Sequence, residues 1–285
     1  MTTTEAQDAE RGRPVELGRT WRRFLAGLDD ARIDETCKTL RRMLGVQSLA
    51  RRRFLDAGSS GGLGSLAAMK LGAERVFSFD DDPQSVACTR ELKRRYFPDA
   101  TNWTIEQGSV LDEAYLERLG MFEVVYSWAA LAHSGELWHA LANVTGPVAP
   151  GGRLFIAVHR DQGWLSELWL RVKQLYNAGA PGRVLVLGTF LPLVWLQGRL
   201  AGVVRGRKNP RGRGTARVGD WIDWFARLPF EVAGAQAVLA FYMQRHFRLE
   251  NLGLSDGRGC NEFVFSRSGT IPPLSARDSS GPIRG

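Results

Sequence analysis

The chain is poor in the residues that build compact chemical clusters. Among its 285 residues are only three cysteines, Cys37, Cys88 and Cys260, and only four histidines. The cysteines lie too far apart for a zinc pattern and are too few for a disulfide framework. They read as small core residues of a protein in a reducing compartment, and a cytoplasmic location is expected. No His, Cys, Asp and Glu grouping has metal-ligand spacing, which disfavours a metal-dependent mechanism. The opening MTTTEAQDAERGRP has neither an apolar run nor a cationic leader, so no cleavable signal is expected. That leader (residues 1–15) and the Ser/Gly/Pro-rich tail of residues 268–285 are expected to be disordered, leaving residues 16–267 as one domain.

Acidic residues are missing from one basic segment. Arg205, Arg207, Lys208, Arg211, Arg213 and Arg217 stand there without a carboxylate among them. Taking those six from the net charge of +8 leaves the rest of the chain near balance at +2. A single patch interleaved with Gly, Asn and Pro is not the groove-long, aromatic-studded stripe that tracks phosphates, so nucleic acid is disfavoured as a partner. The patch reads as a solvated loop or a docking surface.

Long hydrophobic runs are absent too, with one near exception. Val184 to Val204 is 21 residues long and mostly apolar, the length that crosses a bilayer as a helix. Pro192, Gln197 and Arg199 interrupt it. A lid over an active site, or a helix lying in a membrane interface beside a polybasic anchor on anionic lipid, fits better, and both readings stay open. Just upstream, Trp164, Leu165, Leu168, Trp169, Val172, Leu175 and Tyr176 recur at helical spacing, with Glu167, Arg171 and Lys173 on other faces. Such a stripe is expected to be core packing.

What the chain does have is 44% hydrophobic and 24% charged residues, enough for one sizeable α/β core with additions. Its densest signal is Phe54 to Ser65, FLDAGSSGGLGS. A short apolar strand ends in a carboxylate, Asp56, and passes through a glycine-dense turn into an apolar helix. Glycines permit backbone conformations closed to other residues, and the helix that follows presents free N–H groups. A second acid pair, Asp80 and Asp81, ends the next strand, with Asp80 22 residues after Gly58. In a βαβ unit an acid at about that interval reaches the ribose hydroxyls of an adenosine.

Two cofactors could use such a cradle. A dinucleotide site needs glycines in the register G-x-G-x-x-G, which Gly58, Ser60, Gly61, Gly62 and Gly64 meet only by mixing glycines with serines. Here the acid comes before the first glycine. The D-x-G-x-x-x-G turn resembles the cofactor loop of class I S-adenosylmethionine-dependent methyltransferases, with Ser60 where that family usually has its middle glycine. Later segments follow the same order. Trp103 to Gln107 reads as a third strand running into Gly108-Ser109-Val110, Phe122 to Trp128 as a fourth strand buried on both faces, and Pro150-Gly151-Gly152 as the turn that opens a fifth, Leu154 to Val158.

The resemblance implies an α/β, Rossmann-like, seven-stranded and mostly parallel sheet with helices on both faces. Its core would span about 50–160, with a helical lid or substrate insertion at about 160–230 and C-terminal strands at 235–267. The last strand, from about Cys260 to Arg267, would be antiparallel to most of the others. The resemblance also implies S-adenosyl-L-methionine as cofactor. Asp56, Gly58, Ser59, Ser60 and Gly62 would frame its methionine end, Asp80 with Asp81 beside it would hold the ribose, Ser109 and Val110 would border the adenine, and Ser127 would line the sulfonium region. The segments at Asp161-Gln162-Gly163-Trp164, Asp220 to Trp224 and Pro229-Phe230-Glu231 are similar to a bacterial subgroup loosely related to ubiquinone-pathway methyltransferases. That similarity points to O-methylation of a small-molecule, sugar, glycolipid or quinol-like acceptor. An RNA or protein acceptor docking on the 205–217 patch, and a noncatalytic cofactor-binding protein, are the alternatives.

Methyl transfer to a hydroxyl needs a base. In Ser127 to Trp138, SWAALAHSGELW, His133 sits where the subgroup has a His-His-Thr-Gly-like turn, with Ala132 and Ser134 replacing its neighbours. A neutral imidazole is a competent base near neutral pH, and His133 is the candidate. His159 is the runner-up, while His139 and His246 read as structural.

Overall fold

A computed structural model describes residues 17–190, 192, 225–226, 228–255 and 259–269. Seven strands form one sheet in the order β3-β2-β1-β4-β5-β7-β6. They are β1 Arg53–Ala57, β2 Arg75–Asp80, β3 Trp103–Gln107, β4 Phe122–Trp128, β5 Val148–His159, β6 Phe247–Gly253 and β7 Cys260–Arg267. The first five run parallel, and β7 runs against both β5 and β6. The expected seven strands and the antiparallel last strand are both present. The expected turn at Pro150-Gly151-Gly152 is instead taken up inside β5, where Gly151 has φ 72° and the register with β4 shifts between Phe122 and Val124.

Eight helices with defined ends accompany the sheet: α1 Arg19–Ala26, α2 Asp30–Leu44, α3 Leu63–Lys70, α4 Pro83–Tyr96, α5 Glu113–Leu119, α6 Leu137–Asn143, α7 Trp164–Asn177 and α8 Ala235–Met243. Strand alternation sends successive side chains to opposite faces, and the core divides accordingly. Phe54, Val76 and Val124 pack with Ile33, Leu40 and Leu66 on one side. Leu55, Phe77 and Val125 pack with Leu137, Leu141 and Tyr242 on the other. Both layers are needed because the central strands are buried on both faces, as the apolar run of β4 predicts.

The strand order reverses between β1 and β4, since β2 and β3 lie to one side and β5 to the other. Open α/β sheets place their ligand crevice at the strand carboxyl ends beside such a reversal. The ends of β1, β2 and β4 are therefore where a site belongs.

The insertion after β5 starts with α7 and continues with helical residues 180–190. Tyr176, Val186 and Phe225 form a small separate core with Trp169, Val172 and Phe190 packed against it. The expected aromatic stripe is thus only half a core. Trp164 is 74% exposed and Leu168 and Leu175 lie at the surface, whereas Lys173, assigned to another face, is fully buried with Nζ 4.3 Å from the centre of the Phe230 ring. Most of the 184–204 apolar run, the whole 205–217 patch, the leader and most of the tail lie outside the described residues. No helix among the described residues is long and apolar enough to cross a membrane.

Candidate functional site

Asp56, next to last in β1, is a buried carboxyl, 1% exposed. Its Oδ2 accepts the backbone N–H of Ser65 at 3.0 Å and the Ser65 hydroxyl at 2.5 Å. Gly62 is the N-cap of α3 and has no side chain to satisfy the first turn, so the acid of the preceding strand does this from outside the helix. Ser65 spends its one proton on Asp56, so Ser78 Oγ, 2.6 Å away, must donate into Ser65. Trp103 Nε1–H, a donor only, completes the chain into Ser78 at 2.8 Å. The four residues form a one-way relay of donors from β3 to β1, ending on an acceptor at Asp56. Burial pushes the Asp56 carboxyl up to about 7, opposed by the two bonds from Ser65.

The glycine turn is built for close approach. Gly58 has φ 74°, and a Cβ there would collide with Ala130. Gly62 has φ 78°, and its Cβ would meet Thr89. Ser60 adopts φ 52°, the left-handed conformation that suits the glycine usual at this position. The N–H groups of Gly58 and Ser59 both donate to the Phe79 carbonyl, at 3.0 and 2.9 Å, which ties the turn to β2.

Asp80, Asp81 and Asp82 do three different things. Asp80 is 7% exposed. Its Oδ2 accepts Ser60 N–H at 2.7 Å and its Oδ1 accepts Asp82 N–H at 3.1 Å. Each oxygen keeps a second lone pair, so the carboxylate can take two further donors such as the hydroxyls of a vicinal diol. Burial pushes its carboxyl up to about 6. Asp81 is exposed. Asp82 caps α4 through the N–H groups of Gln84 and Ser85, with Pro83 at the first helical position.

Two adjoining clefts open over these strand ends. The smaller, about 410 Å³, is lined by Asp80, Asp81, Ser109, Val110 and His133. The larger, about 1020 Å³, is lined by Asp56, Ser59, Tyr126, α2 and residues of the β6 and β7 strands. Gly58, Ser60, Trp21, Trp128 and Ala129 line both. Eight of the ten residues expected around the cofactor therefore converge, and Gly62 and Ser127 do not. Gly62 is packed against Thr89. Ser127 is fully buried and donates to the Ala57 carbonyl at 2.6 Å, joining β4 to β1. Its strand neighbour Trp128, on the opposite face, is the residue at the cleft. Trp21 and Trp128 carry no sequence pattern that marks them, although a tryptophan closing a buried strand is one signal.

His133 lies in a 3-10 turn, Ala130–His133, after β4. Its Nδ1 is 2.7 Å from the Pro229 carbonyl oxygen. A carbonyl only accepts, so Nδ1 carries the proton and Nε2 the lone pair of the neutral ring. The hold comes from a strap of residues 229–233. Glu231 N–H donates to the Ala132 carbonyl at 2.9 Å, and the Glu231 carboxylate accepts Leu137 N–H at 3.0 Å at the start of α6. The same strap reaches β5, where Ala233 N–H donates to the His159 carbonyl at 3.0 Å. The His133 and His159 rings stand edge to face at 5.6 Å, with Phe230 beside both. His159 Nδ1 is 3.4 Å from Cys260 Sγ, a thiol pushed up to about 12 by burial. His139 is exposed between Glu113 and Glu136. No grouping suited to a metal ion occurs among the described residues.

Comparison with known proteins places this site in context. Residues 55–156 match the family model described as a methyltransferase domain. The ribosomal protein L11 methyltransferase of Pseudomonas paraeruginosa is 30% identical over 132 residues, covering 46% of this chain and 40% of that protein. That of Geobacter metallireducens is 34% identical over 103 residues, 36% of this chain and 31% of the relative. The chain thus spans less than half the length of these curated relatives. Two solved structures share the fold at low identity. An O-methyltransferase family protein from Burkholderia thailandensis has a TM-score of 0.51 at 15% identity, covering 85% of this chain and 60% of that one. Magnesium protoporphyrin IX methyltransferase from Synechocystis, with S-adenosylmethionine bound, has a TM-score of 0.52 at 10% identity, covering 94% and 92%.

Proposed function

We propose that this chain, whose residues 55–156 match a methyltransferase domain, is a class I S-adenosylmethionine-dependent O-methyltransferase with His133 as the base for a hydroxyl on a small, sugar, glycolipid or quinol-like acceptor. The observation that carries this reading is the Nδ1–H···O=C bond from His133 to Pro229 in the wall of the smaller cleft. It fixes the tautomer, so the basic nitrogen is Nε2. S-adenosyl-L-methionine, when bound, supplies a methyl group already activated on sulfur. The protein's own work is to hold the acceptor in line, exclude water and take one proton.

The residues present fit that cofactor. Asp80 has a spare lone pair on each oxygen for the ribose hydroxyls, with Asp81 at the mouth of the same cleft. Ser109 and Val110, in the lining of that cleft, would border the adenine. Gly58, Ser59 and Ser60, with Asp56 beneath them, would face the methionine end. His133→Ala should keep affinity for S-adenosylhomocysteine while lowering turnover about 10²-fold or more. Full activity in that variant would move the proton to His159 or to no base.

A second reading, methylation of a protein acceptor, draws on the Pseudomonas relative, which is named for ribosomal protein L11. The basic 205–217 patch would then be its docking surface. Labelled methyl transfer to purified L11 that falls steeply with added salt would favour this reading over a small acceptor.

A further inference from the structure

The larger cleft, about 1020 Å³, exceeds what the methionine end of a cofactor needs and lies at the top of the range for small-molecule sites. Among the described residues, its lining owes nothing to the 160–230 insertion. The wall facing the glycine turn comes from α2 and from the β6 and β7 strands. Asn251 sets its spacing, since Nδ2 donates to the Arg42 and Met43 carbonyls at 3.3 and 3.2 Å, at the end of α2.

The chemistry of this wall is specific. Leu254, Leu252 and Trp128 line the cleft yet remain 62%, 40% and 38% exposed. Thr36, Thr39 and Ser255 add neutral hydroxyls. Among the described residues of this wall the two arginines, Arg32 and Arg42, are matched in number by Glu35 and Glu262, with Arg42 Nη2 3.9 Å from Glu262, while the carboxyl of Asp56 lines the cleft below the glycine turn. A balanced wall offers no net attraction to a phosphate or other polyanion. It suits an uncharged molecule with hydroxyls at one end and apolar surface at the other.

We infer that the acceptor is an uncharged amphiphile that enters between α2 and the β6 and β7 strands, its hydroxylated end meeting Trp128 and its apolar end lying along Leu252 and Leu254. Trp128 and Gly58 also line the smaller cleft, so an acceptor seated this way is continuous with the cofactor turn and with the side that carries His133. The hydroxylated end rests on the O-methyl reading above. The location rests on the cleft itself.

The test uses the full chain saturated with S-adenosylhomocysteine and titrated calorimetrically with hexyl, heptyl and octyl β-glucoside below their micelle concentrations. Each added methylene should tighten binding roughly fourfold. Leu252→Asn with Leu254→Asn should flatten that dependence while leaving affinity for S-adenosylhomocysteine unchanged. The single Leu254→Asn variant, at the more exposed position, should flatten it in part. Equal affinity for glucose and octyl glucoside in wild type overturns the inference. So does a chain-length dependence that survives in the double variant, which would place the alkyl chain on another face such as Trp164. Failure of wild type to bind S-adenosylhomocysteine would instead sink the methyltransferase reading itself.

Discussion

Asp80 and Ser60 lie 20 residues apart and meet where β1 and β2 end, with the carboxylate Oδ2 2.7 Å from the Ser60 amide nitrogen. Ser60 holds φ 52°, a left-handed conformation that costs a residue with a Cβ about 1 to 2 kcal/mol. A hydrogen bond to a carboxylate contributes about 1.5 to 3 kcal/mol, enough to offset it. The acid on the second strand thus sets the shape of a turn on the first. A chain with serine in a glycine's place can keep the turn because that clasp exists.

Replacing Asp80 removes both the clasp and the ribose acceptor. Asp80→Ala should weaken S-adenosylhomocysteine by tenfold or more, since each charge-assisted bond lost contributes about 1.5 to 3 kcal/mol. Isothermal calorimetry reads this directly. An unchanged affinity would assign the ribose to Asp81.

Asp56 and Asp80 also make pH act in opposite directions on the free and the bound protein. Burial raises their carboxyls to about 7 and about 6, so the fold holds these protons more tightly than the unfolded chain does. Stability from these groups is therefore greatest near pH 4 and falls as pH rises to about 7. Glu91 and Glu123, held down at about 2 by arginines, act only below their ordinary range and leave that window clear. Melting temperature should rise as pH is lowered from about 7.5 to 5.5. Affinity for S-adenosylhomocysteine should fall over the same interval as Asp80 loses its charge. Parallel trends in the two measurements would contradict this assignment.

Gly58 is constrained both by its conformation and by Ala130. Gly58→Ala should destabilise the fold, because its new Cβ collides with Ala130 and because φ 74° is disfavoured. Adding Ala130→Gly should restore the space but not the backbone preference. Denaturant midpoints for the double variant should recover only part of the loss, leaving about 1 to 2 kcal/mol. Complete recovery would mean that the backbone at Gly58 is under no constraint.

The donor relay ending on Asp56 predicts a pH-dependent cost. Ser65→Ala removes the hydroxyl donor from a buried carboxylate, a loss of about 1 to 3 kcal/mol that falls mainly on the charged form. The stability gap from wild type should widen between about pH 6 and pH 8. A constant gap would show that Asp56 does not change its charge over that interval.

Fold and cofactor loop were legible because they obey local rules. Apolar strands and the acid before the turn follow from residues near one another in the chain, whereas the antiparallel last strand at Cys260–Arg267, paired with β5 from far along the sequence, is implied only by the family resemblance. What stayed hidden is nonlocal. Nothing around Pro229 or Glu231 signals that they would hold a loop about a hundred residues earlier. Ser127 misled because strand alternation, invisible in a run as apolar as β4, turns it inward and leaves Trp128 at the cleft. The burial of Lys173 escaped helical periodicity because its covering residue, Phe230, arrives from across the insertion. The wall formed by α2 with β6 and β7 has no motif at all.

The insertion leaves and re-enters the sheet at one point. Asp161 N–H donates to the Ala233 carbonyl at 3.2 Å, and Arg160 pairs with Ala233. An excursion whose ends are already stitched together can change in length or sequence without rethreading the seven strands, much as a cassette is exchanged in a fixed frame. The returning end is also the strap that holds His133. Diversification of this segment among related chains, or its replacement by an engineer, is therefore free only up to Pro229, and a transplanted cassette must bring back a carbonyl and a carboxylate in the places that Pro229 and Glu231 now fill.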